Sequence, residues 1–435
     1  MVDLIEGVEV EGSRVVVRPN LTAFGGVVTG PFWVEYEPGV DVAAWPLSWQ
    51  TAPFLLNVAP IVWASGLEAR VGAMDASLAA SLQELRSLFS TDLYPGLAWS
   101  GSISADSLVP APPPTQPGEA GVLFSGGLDS VSTAMRHLAE RQRLLTIRGA
   151  DVSNEDEAGW SYVVDHVNEF ASEYGQSVSL VSSNLRGFYD NLRLSRLHPS
   201  ISDWWSNVQH GMGLIGVVAP LVTSLGIDKV YIAATHTATF RVPWGSSPTI
   251  DEAIRFANLR VVHDGYDLTR QGKLRGVLEV AAAQEIVVPR LRVCYANPDG
   301  GGSNCGKCEK CLRTVAGAVV EGGDLARLGF PKPPAEYAAL MARKFRRHTM
   351  PANENVAWMW GDIKSRAAER LTARQESLPA ATRELSIWLT GFDFDAYARR
   401  YAKVKRVRKA AQNLLRRNPA LFRLARRIAI KVEDR

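Results

Sequence analysis

A glycine turn near the middle of the chain has residue types that could hold the phosphates of a nucleotide. Residues 125–130 read Ser-Gly-Gly-Leu-Asp-Ser and lie between a short apolar run and a helix-forming segment. Glycines let the backbone approach an anion closely, and amide N–H groups at the start of a helix attract negative charge. Asp129 would repel a bare phosphate, so we interpret it as a ligand of Mg²⁺ bound to phosphates. The predicted nucleotide-binding residues of this turn are Ser125, Gly126, Gly127, Leu128, Asp129 and Ser130.

All four cysteines of the chain fall within 18 residues, with the spacing C-x10-C-x2-C-x2-C. A disulfide framework would spread its cysteines along the chain, whereas clustered thiolates are typical of a metal site. Four sulfurs suit structural Zn²⁺, and an iron–sulfur cluster takes the same ligands, so the spacing leaves both open. A fully ligated zinc has no open position, so we assign this site to folding. The predicted metal ligands are Cys294, Cys305, Cys308 and Cys311.

Three further residues are candidates because they lie next to predicted strands or helices. Lys273, close to Arg270 at the start of a predicted helix, could neutralise charge on a pentavalent phosphorus. His236 follows a predicted strand and could transfer a proton, and His210 precedes a buried helix and could contact a phosphate. We therefore predict catalytic roles for Asp129, Lys273 and His236, and a nucleotide contact for His210. The alternatives are a solvated basic face and histidines that only complete hydrogen bonds.

The elements that must position these residues are strands that alternate with helices after residue 119. Apolar runs predict strands at 120–124, 143–149, 177–183, 229–236 and 258–264. Repeated βα units with buried strands indicate an α/β fold with a doubly wound, mostly parallel sheet. Ligands of such sheets bind beyond the carboxyl ends of the strands. The glycine turn and His236 both follow strands and are expected at that edge.

The hexapeptide at 125–130 resembles the PP-loop of the ATP pyrophosphatases at every fixed position of the SGGxDS pattern. The resemblance implies a HUP-like α/β domain that grips the β,γ-pyrophosphate of ATP with Mg²⁺. It also implies that a substrate oxygen attacks the α-phosphorus and that a nucleophile then displaces AMP. A kinase is not implied, because the GxxxxGK[ST] loop is not present at this turn.

Together with the cysteines, the loop resembles the 7-cyano-7-deazaguanine synthase family (QueC). The segment NCGKCEKCLRT at 304–314 is similar to its C-G-x-C-x-x-C-x-x-R motif. The resemblance implies a Cys₄ zinc site and an ATP-dependent ligase that joins ammonia to an adenylated carboxylate. The stretch 235–256 lacks the family's Tyr-Pro-Asp-Cys-Arg segment, and His210-Gly211 replaces its Arg-Asn pair. The chain is also much longer, as in a QueC-like branch with members in antiphage islands. We therefore expect either a deazaguanine-type small molecule or a partner protein's terminus as the acceptor, with ammonia or another amine as the donor.

Changes in composition along the chain divide it into four segments. Five prolines between residues 107 and 119 indicate an extended linker, and the chain after it contains the loop and the cysteines. The predicted organisation is an N-terminal α+β domain at 1–108, a linker at 109–119, a PP-loop domain with the zinc site at 120–321, and a helical C-terminal region at 322–435.

Composition and charge exclude several classes of protein. A mean hydropathy of −0.05 excludes a largely disordered chain, and the 16-residue apolar stretch at 212–227 is shorter than the roughly 20 residues of a membrane-spanning helix. The N-terminus has no basic segment followed by an apolar one, so we expect a cytoplasmic protein. Residues 399–431 carry 13 Lys or Arg and no Asp or Glu. This basic tail predicts contact with nucleic acid or an anionic membrane, or packing on the acidic remainder of the chain.

Two other functions fit parts of the same pattern. A tRNA-modifying PP-loop enzyme is one, although the chain has no cysteine between Ser130 and Val293 where such enzymes generally place a Cys-x-x-Cys pair. A zinc-stabilised nucleic-acid or membrane adaptor with a vestigial nucleotide site is the other, and the basic tail favours it. A homodimer is compatible with each of these functions.

Overall fold

The computed structural model describes residues 1–113, 118–294, 303–374 and 377–417. These residues form two compact units. The first comprises Met1–Asn304 and Arg327–Gly329, and the second comprises Cys305–Ala326 and the described residues from Phe330 onward.

The secondary structure of the first unit consists of strands and helices in alternation. The strands are β1 (Val2–Asp3), β2 (Ile5–Glu11), β3 (Arg14–Pro19), β4 (Phe32–Tyr36), β5 (Glu68–Asp75), β6 (Ser102–Val109), β7 (Ala120–Leu123), β8 (Gln142–Arg148), β9 (Ser177–Ser183), β10 (Lys229–Ala233), β11 (Arg255–Phe256) and β12 (Leu259–Asp264). The α-helices are α1 (Leu47–Gln50), α2 (Ala52–Ser65), α3 (Ala76–Leu88), α4 (Leu128–Arg136), α5 (Glu157–Tyr174), α6 (Asn191–Leu194), α7 (His210–Ser224), α8 (Pro248–Asp251) and α9 (Arg270–Ala283). Short 3₁₀ and π turns occur at Val42–Ala44, Phe89–Leu93 and Trp205–Gln209.

Five parallel strands form the core of the larger sheet, in the order β12-β10-β7-β8-β9. All four residues of β7 are buried, as expected for a strand that is covered on both faces. The predicted α/β class and the mostly parallel sheet are therefore confirmed. Each of the five strands predicted after residue 119 is present, although β10 ends at Ala233 and not at 236.

Three consecutive antiparallel strands near the N-terminus, β2, β3 and β4, extend this same sheet. β4 pairs antiparallel with β9, and Val34 lies opposite Ser183. The sequence predicts a separate domain at 1–108. The pairing of β4 with β9 instead makes these three strands part of the first unit. The physical reason is that the outer edge of β9 carries N–H and C=O groups that need partners, and β4 supplies them.

A second, smaller sheet has the order β1-β5-β6, and its strands are all parallel. Helix α3 follows β5 directly and begins where Asp75 accepts a hydrogen bond from the amide of Leu78 at 2.9 Å. Asp75 is therefore the N-cap of α3. β6 reaches Val109, so it overlaps the start of the predicted linker, of which residues 114–117 lie outside the described residues.

The second unit is helical, as the sequence predicts for this region. Its helices are α10 (Glu309–Glu321), α11 (Pro334–Arg346), α12 (Glu354–Arg374), α13 (Ala380–Gly391) and α14 (Phe394–Arg417). The unit begins at Cys305, so its boundary differs from the predicted one at 321/322. The reason is that α10, which starts inside the cysteine motif, packs against α11, α12 and α13. Residues 418–431 of the predicted basic contact surface lie outside the described residues.

Among the described residues, no helix combines the length and the apolar character that crossing a membrane requires.

Candidate nucleotide and metal sites

The glycine turn lies at the carboxyl end of the central strand β7, where the sequence predicts it. Gly126 has φ +73°, a left-handed conformation that favours glycine. Gly127 is the N-cap of α4 and has no side chain to cap the helix, so amide N–H groups of the first turn can bind an anion. The turn therefore has the backbone geometry of a phosphate-binding loop.

The two serines of the loop approach each other across it. Their Oγ atoms are 3.3 Å apart, and Ser130 Oγ donates to the carbonyl of Gly127 at 3.1 Å. Ser130 is also buried. The serines thus stabilise the turn, and both hydroxyls remain next to the amides at the start of α4.

Arg292 fastens the loop from a distant part of the chain. Its backbone N–H donates to the carbonyl of Gly126 at 2.7 Å, and its Nε donates to the carbonyl of Ser125 at 2.9 Å. Arg292 thus binds the carbonyl groups of Ser125 and Gly126 and leaves the amide N–H groups of the loop to other partners. Arg292 could not be predicted from the sequence, because it lies outside any motif and only the fold brings it to the loop.

His166 on α5 packs directly against the same turn. A Cβ atom on Gly126 would lie 2.4 Å from the ring of His166, closer than real Cβ contacts. The pKa of His166 is lowered to about 4, chiefly by burial, and the charges of Arg290 and Arg292 act in the same direction. The ring of His166 is therefore neutral at pH 7, and its close packing leaves room only for glycine at position 126. A histidine within a helix carries no recognisable signal in the sequence, so this contact could not be predicted.

Asp129 on the first turn of α4 faces two cations from α9. Arg270 Nη1 donates to Asp129 Oδ2 at 2.9 Å, and Lys273 Nζ lies 3.5 Å from Asp129 Oδ1. Lys273 also donates to the carbonyl of Ala234, at the end of β10. The structure thus brings the predicted residues Asp129 and Lys273 together, with Arg270 beside them. One carboxylate and two cations next to an anion-binding loop suit a metal-bound triphosphate.

Lys273 is almost fully buried, with 2% of its surface exposed. Burial lowers its pKa, the charge of Asp129 opposes that change, and the charge of Arg270 adds to it. The ammonium therefore depends on Asp129 for its stability in this position.

His236 lies three residues beyond β10 and is 8% exposed. The pKa of His236 is lowered to about 4, chiefly by burial. The charge of Asp129 opposes this change, and the charges of Lys273 and Arg270 add to it. Its Nε2 is buried and has no hydrogen-bond partner. A neutral imidazole with an unpartnered nitrogen can accept a proton, which is the role that the sequence predicts.

His210 is the first residue of α7, and its ring packs against Trp205 and Trp244 at centroid distances of 5.1 and 5.4 Å. Burial lowers its pKa, against the charges of Asp151 and Asp251. These contacts place His210 in an aromatic group, and its predicted phosphate contact stays a prediction. Trp204, the residue before Trp205, is buried in the core.

The sulfur atoms of the four predicted metal ligands lie within 4.8 Å of one another. Tetrahedral zinc with Zn–S bonds of about 2.3 Å requires sulfurs about 3.8 Å apart, and the Sγ atoms of Cys305 and Cys311 are separated by 3.8 Å. The amides of Lys307 and Cys308 donate to Cys305 Sγ at 3.4 and 3.2 Å, which stabilises negative charge on that sulfur. The cluster therefore fits a four-thiolate metal ion.

Comparison with known proteins relates the chain to one group of enzymes. It is 27% identical over 229 residues to the 7-cyano-7-deazaguanine synthase of Pyrococcus abyssi, and 28% identical over 233 residues to that of Pyrococcus furiosus. Each alignment covers 46% of this chain and 91% of the relative. The chain is similar to 7-cyano-7-deazaguanine synthases. No family model matches it, and no solved structure matches it.

This similarity indicates an ATP-using enzyme of the PP-loop type. The relatives align with slightly under half of the chain.

Proposed function

We propose that this protein is an ATP-dependent ligase that adenylates a carboxylate, or a similar oxygen, and then transfers the acyl group to ammonia or another amine. The observation that carries the proposal is the phosphate-binding loop with Asp129, Arg270 and Lys273 at one end of the parallel sheet. The similarity to 7-cyano-7-deazaguanine synthases supports it.

In the first step, the carboxylate oxygen attacks the α-phosphorus of ATP, and the bond from that phosphorus to the bridging oxygen breaks. Pyrophosphate leaves and an acyl adenylate forms. The amides at the start of α4 and the hydroxyls of Ser125 and Ser130 would hold the leaving pyrophosphate. Lys273 and Arg270 would neutralise charge that develops on the phosphorus. Mg²⁺, held by Asp129, would supply further neutralisation of the phosphates.

In the second step, the amine attacks the acyl carbon and AMP leaves. The amine loses a proton, and the neutral ring of His236 is positioned to accept it. The four cysteines would hold Zn²⁺, which would stabilise the fold around α10. Deazaguanine-type carboxylates and the terminus of a partner protein are the acceptors to be tested first.

The test is incubation of the full chain with Mg²⁺ and ATP labelled on the α-phosphate, with 7-carboxy-7-deazaguanine and ammonia. We expect labelled AMP and an equal amount of pyrophosphate. Where the acceptor is not turned over, exchange of labelled pyrophosphate into ATP reports the first step alone. Release of ADP and phosphate without AMP would contradict the proposal, because it shows attack at the γ-phosphorus.

A further inference from the structure

An open groove in the second unit combines aromatic and basic side chains. Its larger part is a cavity of about 660 Å³ between α11, the end of α13 and the start of α14. A smaller part of about 530 Å³ continues along α14, and the two parts share Ala396 and Arg400. Cavities of this size are typical of ligand sites in proteins. We call the two parts together the α14 groove.

The floor of the α14 groove is a cluster of aromatic rings. The ring of Phe345 lies 4.8 Å from that of Tyr397 and 5.5 Å from that of Trp388, measured between centroids. Phe345 and Tyr397 are buried, whereas Trp388 and Phe392 are only partly buried and line the cavity. Tyr397 Oη also donates to the carbonyl of Met350 at 2.9 Å. This packing holds the floor in place without a ligand, and it leaves parts of two rings open to the cavity.

Five cations on two helices surround this floor. They are Arg346 on α11 and Arg399, Arg400, Lys403 and Arg406 on α14. All five side chains are exposed, and within the part of the chain that the structure describes none of them forms an ion pair. The lining also includes Asp393, whose carboxylate accepts a hydrogen bond from the amide of Ala396 at 2.8 Å and caps the start of α14. The groove therefore carries an excess of positive charge that no carboxylate of the described chain neutralises.

The cations on α14 follow the direction of the helix. Arg399, Lys403 and Arg406 are spaced by four and three residues, so they share one face. Arg400 and Arg406 are separated by about 9 Å along the axis, at 1.5 Å per residue. A row of cations that begins beside partly exposed aromatic rings is complementary to a ligand with repeated negative charges and a flat ring at one end.

A strand of nucleic acid has both of these features. Its phosphates pair with Lys and Arg along a groove, and its bases stack on aromatic side chains without regard to sequence. The base must be unpaired, because the bases of a duplex are stacked inside it. An anionic membrane fits less well, since a helix on its surface needs large apolar side chains that project into the lipid. Within the groove, α14 contributes only Ala396, Ala402 and the buried Tyr397 beside its cations.

We infer that the α14 groove binds single-stranded nucleic acid. One base stacks on Trp388 and Phe392, and the phosphates next to it pair with Arg346 and with the cations of α14. This binding site lies entirely within the second unit and does not depend on the proposed adenylation.

The test measures binding of the full chain to a fluorescein-labelled oligouridine of ten nucleotides, by fluorescence anisotropy at several salt concentrations. We expect the logarithm of the association constant to fall linearly with the logarithm of the salt concentration, because bound phosphates release counterions. An abasic strand of the same length keeps the phosphates and lacks the bases. It should bind at least about fivefold more weakly, since the contribution of stacking is lost. An unlabelled duplex of the same length should compete less well than the unlabelled single strand, because its bases are paired.

The variant Arg346→Gln with Arg400→Gln removes two exposed cations from opposite sides of the cavity. It should weaken oligouridine binding about tenfold and reduce the salt slope by about 1.4, at about 0.7 for each lost phosphate contact. Arg260→Gln with Arg383→Gln is the matched control, because it makes the same change of charge at two exposed arginines outside the groove lining. The control should keep the parent's affinity and slope.

Trp388→Ala tests the stacking contact. It should bind the oligouridine and the abasic strand with equal affinity, since the ring on which the base stacks is gone. If this variant does not fold, the exposed arginine pair still decides the question, as those substitutions leave the aromatic floor intact.

Three results would overturn the inference: no binding of oligouridine, equal affinity of the parent for the abasic strand, or parent affinity in Arg346→Gln with Arg400→Gln. Vesicles that contain phosphatidylserine provide the remaining comparison. If they retain the parent but not the arginine variant, and oligouridine does not bind, the groove is a membrane surface and the inference is wrong. The measurements contain no ATP, so their failure would leave the proposed adenylation untouched, and failure of adenylation would leave this site untouched.

Discussion

Arg270 and Asp129 form a direct ion pair, with Nη1 and Oδ2 separated by 2.9 Å, although they lie 141 residues apart in the chain. Lys273, one turn further along α9, approaches the other oxygen of the same carboxylate. Asp129 therefore balances two cations before any nucleotide is bound. A triphosphate with Mg²⁺ would bring its own negative and positive charges to this cluster, so binding must redistribute these pairings.

Asp129→Asn should abolish most of the proposed activity without unfolding the chain. We expect AMP release to fall about 100-fold or more, because the amide is a poor ligand for Mg²⁺ and several kcal/mol of charge stabilisation depend on the metal. The free energy of unfolding should fall by about 1–3 kcal/mol, since buried Lys273 loses the negative charge that offsets its burial. Quantification of labelled AMP and urea unfolding measure the two effects.

Asp267→Asn is the matched control for this change. Asp267 is a mostly exposed carboxylate that lies 3.7 Å from Arg136, and the same substitution there removes only a surface ion pair. Its effect on stability should be within about 1 kcal/mol, and turnover should not change. Full activity in Asp129→Asn would remove the carboxylate from the mechanism.

Gly126→Ala should distort the phosphate-binding loop. The added Cβ would contact the ring of His166 at 2.4 Å, and φ +73° disfavours alanine in any case. We expect a loss of about 2–4 kcal/mol in the free energy of unfolding and at least tenfold weaker ATP binding, measured by urea unfolding and calorimetric titration.

Gly361→Ala on α12 provides the comparison for this loop substitution. Gly361 has open space around its Cβ position, so alanine there should be neutral or stabilise the helix by up to about 1 kcal/mol. Equal ATP affinity in Gly126→Ala and the parent would show that the nucleotide does not bind at this loop.

The sequence predicted the local parts of the structure well, because each depended on neighbouring residues. The strand that precedes the loop and the helix that follows it are both specified within a few positions. The pairing of β4 with β9 could not be predicted, since it joins Val34 to Ser183 across about 150 residues and either strand reads as an ordinary half-buried strand.

The same distinction holds for the site. Asp129 and Lys273 were found because residue types and strand ends indicate them, and the fold then placed them together. Arg292 and His166 were missed, since their contacts with the loop arise only from the packing of distant segments.

Removal of the metal should destabilise the chain around α10. We expect about one zinc per chain by elemental analysis, and a loss of about 3 kcal/mol or more in the free energy of unfolding after chelation, because metal binding is coupled to folding. Addition of Zn²⁺ should restore stability, whereas Mg²⁺ should not. Cys311→Ser should lose the zinc and become insensitive to the chelator. Iron and visible absorption in place of zinc would identify the cluster alternative.

Stability should fall as the pH is lowered from about 7 to about 4, because two histidines are held neutral by burial. The folded-state pKa values of His166 and His236 are about 4, below the ordinary value of 6.5. Between these values the unfolded chain binds more protons than the folded one. The stabilisation is therefore complete above about pH 6.5 and is lost as the pH falls towards 4, by at most about 3 kcal/mol per histidine.

Urea unfolding at several pH values measures how steeply the free energy of unfolding depends on pH. His166→Gln should flatten it even if stability at neutral pH falls, since the titrating ring is gone. An unchanged slope in both His166→Gln and His236→Gln would show that the acid sensitivity comes from other groups.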